Sequence, residues 1–225
     1  MNVSRRNSWP VWLVPVILLA PLWAFGQVKD VRSYHREVEL RPLDSGYAVS
    51  AQYQEVFTPR LRQRLSNGFT SRILVDVVMR EAKKKTPVAA GLLRLTILYD
   101  IWEESFHVRQ ESGAGRKDVH LRSMKELIAL CGSLRQLALV PTRELKEGAK
   151  VRIEVRITVN PTSAELRSKV RRYLANPDGR GHIGSPRSFF GSFSRIFVNE
   201  KDMQADMVYT YRSPPMSLTT NPQAE

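Results

Sequence analysis

Cysteine is nearly absent from this 225-residue chain: Cys131 stands alone, so no internal disulfide can form. An oxidising compartment permits disulfides without requiring them, so this scarcity does not exclude export. Histidine is sparse as well, confined to His35, His107, His120 and His182. Asp118-x-His120 places two ligand types on one face of a strand, but the spacing indicates no third ligand, and zinc sites use three or four. No metal site and no cofactor are therefore expected. Acids are the minority charge, with Asp+Glu 22 against Lys+Arg 35. Serine-nucleophile and phosphate-loop signatures are missing: Gly113-Ala114-Gly115-Arg116-Lys117 has glycines and bases without the phosphate-loop spacing, and reads as a hairpin tip. Beyond residue 26 no apolar run is long enough to span a bilayer.

What is present begins with a targeting segment. Arg5 and Arg6 precede a run of about sixteen apolar residues, 10–25, broken by Pro10, Pro15 and Pro21. Ala24-Phe25-Gly26 puts small residues at the −3 and −1 positions of a cleavage site. Residues 1–26 are expected to be a signal peptide cleaved after Gly26, with an uncleaved N-terminal anchor as the alternative. The expected location is the periplasm or cell envelope. Removing Arg5 and Arg6 with this segment lowers the net charge from +13 to +11. That balance favours acidic partners such as phosphate head groups or anionic polymers. Hydrophobic content of 42% and charged content of 25% are those of a globular domain.

Periodicity then outlines the elements. Residues 38–40 and 46–57 read as strands joined by the turn Asp44-Ser45-Gly46. Thr58-Pro59 opens a short helix, with Leu61 and Leu65 inward and Gly68 at its close. Residues 69–80 and 92–102 alternate as strands, and 105–110 with 117–121 fit a hairpin. Ser123-x-x-Glu126 is a capping box. It starts a helix in which Met124, Leu127, Ile128, Cys131, Leu134 and Ala138 share a face. Cys131 on that stripe is most simply a buried small hydrophobe. Residues 150–159 form the cleanest strand, one face core and the other wet. Thr162-x-x-Glu165 starts a basic helix, 175–186 is a loop, and 206–212 is a last strand. The fold class expected is α+β: a mainly antiparallel sheet of about six or seven strands with two or three helices packed on it. The organisation expected is a signal peptide at 1–26, a domain at 34–160, a basic and Phe-rich extension at 161–212, and a disordered tail at 213–225.

The chain resembles a bacterial exported family catalogued as domain of unknown function 4390. The resemblance rests on Phe57-Thr58-Pro59-x-Leu61, Leu65, Gly68-Phe69, the strand ending at Arg80, Leu98-Tyr99-Asp100, the helix from Ser123 and the strand at 150–159. It covers residues 49–160. After Asn160 the chain departs from the family pattern: the basic helix and Phe-rich stretch replace an expected tryptophan-bearing segment, which implies a divergent branch. The family name implies no activity, so no functional residue is carried over.

The most suggestive candidate surface is the basic helix. Arg167, Lys169, Arg171 and Arg172 suit an anionic membrane surface. Phe189, Phe190, Phe193 and Phe197 follow at helical spacing and would supply apolar docking. Asp100, Glu103 and Glu104 cluster around a turn and read as solvated carboxylates. The expectation is a non-enzymatic envelope module that binds a partner protein or anionic lipid. A structural subunit docking on an inner-membrane complex is the alternative, and an envelope hydrolase the second. The export signal and the lack of a recognised motif argue against nucleic acid. The sequence leaves the oligomeric state open.

Overall fold

A computed structural model describes residues 31–44, 46–83, 87–141, 148–162, 168, 170–171, 174–175 and 205–218. The order is β1 (Val31–His35), β2 (Glu39–Leu43), β3 (Gly46–Gln52), a 3-10 turn (Gln54–Val56) and α1 (Pro59–Ser66). Next come β4 (Ser71–Glu81), β5 (Pro87–Asp100), β6 (Ser105–Ser112), β7 (Gly115–Leu121) and α2 (Met124–Cys131). The remainder is β8 (Ser133–Pro141), β9 (Lys150–Val159), β10 (Met207–Arg212) and β11 (Met216–Ser217). The α+β class holds in its coarse form, but among the described residues the sheet has eleven strands rather than six or seven. The unexpected ones include β1, β11 and β8, none of which carries clean alternation.

Local chemistry explains the helices. The Thr58 side chain caps α1 by accepting from the Leu61 N–H at 3.3 Å, with Pro59 at the first turn. Leu61 and Leu65 are buried one turn apart, each contributing about 2 kcal/mol by burial. Ser123 caps α2 by accepting from Glu126 N–H, while the Glu126 carboxylate accepts from Arg122 N–H. That helix ends at Cys131, far short of Ala138. Gly132 is the stop: a Cβ there would lie 2.6 Å from the Ile128 carbonyl and 2.9 Å from Gln54 Cγ.

The segment expected to continue the helix is β8. Leu134, Leu137 and Leu139 are buried, a spacing of three and then two. Gln136 has φ +50°, and the β3–β8 register shifts opposite it, between Val49 and Ala51. This bulge inserts one residue and turns Leu137 back inward. A strand that skips a beat in this way imitates helical periodicity.

Other boundaries also move. β3 stops at Gln52 and the 3-10 turn takes over. Phe69 lies outside β4 and is exposed. β5 begins earlier than expected and ends before Trp102. Within the expected tail, Met216–Ser217 form β11, which pairs with β9 through Met216↔Val151, while residues 219–225 lie outside the described residues.

The strand order is β1-β10-β9-β4-β5-β8-β3-β2, with β6 and β7 branching from β5. Pairing is antiparallel except for β1 with β10. β5 serves two neighbours on one edge: Ala89 and Ala90 pair with β8, and Leu93 onward pairs with β6. Gly91 sits at the division, where a Cβ would come within 2.9 Å of the Ala138 carbonyl. Its missing side chain lets β8 close in, so the sheet curls. Inward residues of β3, β4, β5, β8, β9 and β10 then join α1 and α2 in one core that includes Tyr53, Phe57, Ile73, Ile97, Ile157 and Tyr209.

The outer face is partly covered. Val170, in the helical residues that follow β9, packs with Leu74, Val78, Ala90 and Leu92, and Leu174 lies against the same group. The expectation that one face of β9 is wet is corrected here: Arg156 and Thr158 on that face are buried.

Candidate functional site

Charge and exposed apolar area gather at several places on the outer face of the sheet and just beneath it. The first is a cleft of about 650 Å³ between the sheet and the helical residues around Val170. Arg72, Arg94, Arg109 and Arg171 line it, with Glu111 as the acid among them. Register explains the convergence: Arg72, Thr96 and Arg109 are successive cross-strand partners, as are Leu74, Arg94 and Glu111. Arg94 donates to Glu111 from Nε and Nη2 at 2.8 and 2.7 Å. Arg109 donates to Asp118 at 3.0 Å. Arg72 and Arg171 have no ion pair among the described residues, so four guanidinium groups face one lining carboxylate. Of the basic residues singled out in the sequence, Arg171 is exposed at this cleft. Arg167, Lys169 and Arg172 lie outside the described side chains, and Phe189, Phe190, Phe193 and Phe197 lie outside the described residues.

The second feature is an apolar tip at the end of β5. Phe69, Leu98, Ile101 and Trp102 are exposed, Trp102 at 89%. Gly68 lies against this turn, since its Cβ would meet Ile101 Cγ2 at 3.5 Å. Its φ of +76° lets the chain leave α1 toward the tip. The Arg64 guanidinium stands 5.4 Å from the centre of the Phe69 ring. Leu98 is two residues beyond Thr96 on the same strand face, so the tip adjoins the mouth of the cleft.

The turn itself is organised by Asp100. Its carboxylate accepts from the backbone N–H groups of Trp102 and Glu103 at 2.8 and 3.1 Å. Those bonds, from Glu103 first, hold the Asp100 carboxyl below the ordinary range. Asp100 is thus a structural turn residue, while Glu103 and Glu104 are exposed.

Beside this turn the hairpin register pairs His107 with His120. Their ring centres are 4.1 Å apart. Glu103 Oε2 lies 3.1 Å from His107 Nε2, and Ser105 Oγ lies 3.2 Å from the same nitrogen. A Ser–His–carboxylate relay needs the two partners on opposite imidazole nitrogens. Sharing one nitrogen, Ser105 and Glu103 do not form it. Asp118, paired with His120 by sequence spacing, is instead held by Arg109 and Arg116, and hydrogen bonds from Arg116 first depress its carboxyl. The sequence suggested no third ligand; the fold supplies Glu103 and His107 from across the hairpin. The missing signal was the register of β6 on β7.

The third feature is a covered charge pair. Asp76 and Arg156 face each other across β4 and β9, only 2% and 3% exposed. Asp76 Oδ1 and Arg156 Nη1 have no hydrogen-bond partner among the described residues. Arg156 and Arg212 both donate to Glu154, at 3.0 and 3.1 Å. Burial pushes the Asp76 carboxyl up to about 7, opposed by the Arg156 charge. Nothing in the alternation of β4 distinguished Asp76 from a solvated strand residue. Cys131 is buried as expected, and burial pushes its thiol up to about 12, a poor nucleophile.

Among the described residues no helix is long and apolar enough to cross a membrane. No curated protein and no protein of solved structure is significantly similar to the chain. Residues 34–165, more than half of the chain, match the model of the family described as domain of unknown function, DUF4390, and the protein belongs to that family.

Proposed function

We propose that this protein is a non-enzymatic accessory module of the bacterial cell envelope that docks on an anionic membrane surface. The observation that carries the reading is the junction of an exposed apolar tip with an arginine-lined cleft. Tryptophan belongs at the boundary between head groups and acyl chains, and Trp102 is almost fully exposed on the turn after β5. Each arginine near an anionic surface adds about 1 kcal/mol. The export signal expected at residues 1–26 and the +11 charge left without that segment point the same way.

Docking by strand addition fits less well. The edge strand β2 contains Pro42, and the edge strand β7 carries exposed Arg116 and Lys117. Proline and edge charges both discourage a further strand.

The test is co-sedimentation of the protein, purified from its own envelope, with phosphatidylglycerol vesicles and with phosphatidylcholine vesicles. Binding is expected on the anionic vesicles. Arg72→Glu with Arg171→Glu should weaken it more than roughly 30-fold: loss of two surface bases accounts for that factor, and the two new carboxylates add repulsion. Equal binding to both vesicle types, or no response to charge reversal, would refute the reading.

A further inference from the structure

We propose that Glu103, His107 and His120 form a site for one divalent transition-metal ion of the zinc class. The inference stands apart from membrane docking and uses none of the cleft residues. The three side chains offer two imidazole nitrogens and one carboxylate oxygen, all within 4.8 Å of one another. This donor set suits zinc, with a fourth position left for water or an incoming ligand.

The geometry is close to what an ion requires. Donors around tetrahedral zinc stand roughly 3.3 Å apart, given metal–ligand distances near 2.0–2.1 Å. Glu103 Oε2 and His107 Nε2 are already at 3.1 Å. The remaining closure needs only side-chain rotation, and Glu103 and His120 are both exposed and free to make it. The backbone beneath is fixed. His107 and His120 are direct partners in the β6–β7 ladder. Asp100 holds the turn that presents Glu103 through two backbone hydrogen bonds. Asp118, the neighbouring acid on β7, is engaged by two arginines and does not compete.

An ion here would tie the turn to the hairpin directly beside Trp102. It would also turn a site with one formal negative charge into one with a positive charge.

The experiment is calorimetric titration of the full chain with zinc chloride, supported by visible absorption of the cobalt-substituted protein. One ion per chain is expected, with cobalt bands of four-coordinate geometry. His107→Ala and His120→Ala should each weaken binding on the order of a hundredfold. Glu103→Gln, on an exposed turn that the fold does not depend on, should weaken it about tenfold. His35→Asn should leave affinity within about twofold, because His35 is not one of the clustered donors. The proposal is overturned if the double variant His107→Ala/His120→Ala binds zinc as tightly as the parent. It is equally overturned if binding follows His35.

Discussion

Asp76 shows how one residue can tie stability to pH. Its carboxyl titrates near 7 in the folded protein because burial outweighs the attraction of Arg156. Below about pH 4 folded and unfolded chains both hold the proton, and Asp76 adds no pH dependence. Between that value and 7 the unfolded chain has released a proton that the folded chain retains. Stability therefore falls as pH rises through this window, and the loss is complete above 7. Asp76→Asn should flatten the slope, so that the variant loses less than the parent between pH 5 and pH 8. Urea midpoints at the two pH values measure this, and equal slopes would refute it. Cys131 is a contrasting residue. Its position on a helical stripe announced burial, whereas Asp76 sat on a strand face that ordinarily meets water.

Elements depend on where they stop, and Gly132 stops α2. Its φ of −90° is open to any residue, so the constraint is steric rather than conformational. A methyl group there would collide with the Ile128 carbonyl and with Gln54. Gly132→Ala should cost about 1–3 kcal/mol, the usual range for overpacking. Thermal or urea unfolding would measure it, and a neutral result would mean that the α2 end and the 3-10 turn move apart freely. The elements that alternation marked were found where expected, above all β9, whose inward residues from Val151 to Val159 are all buried. β8 was hidden because Gln136 interrupts its alternation, while Cys131, Leu134 and Ala138 happen to match a helical spacing although Ala138 is exposed. A single bulged residue outweighed the apolar pattern of nine.

At the scale of the whole molecule, charge and shape act together. Docking through the cleft and tip predicts a strong dependence on salt, because surface attractions fade within a Debye length of about 8 Å at physiological ionic strength. Raising salt should release the protein from anionic vesicles. Trp102 should also shift its emission to shorter wavelength on binding, and Trp102→Phe should remove that change. Beyond residue 26 it is the only tryptophan, which makes the readout specific. Salt-independent binding without an emission change would place the contact elsewhere.

Composition and local pattern by themselves indicated the α+β class, the two helix starts at Thr58 and Ser123 and the hairpin at residues 105–121. These depend on caps, turns and short-range periodicity, all legible within a dozen residues. Tertiary structure decided the rest. β5 divides its edge between β8 and β6 at Gly91, and cross-strand register aligned Arg72 with Arg109 through Thr96 and His107 with His120. Register joins residues far apart in the chain, and it is chosen by the global burial of apolar faces. No local window contains that information, so the arginine cleft, the buried Asp76 and the histidine cluster emerged only when the strands were laid side by side.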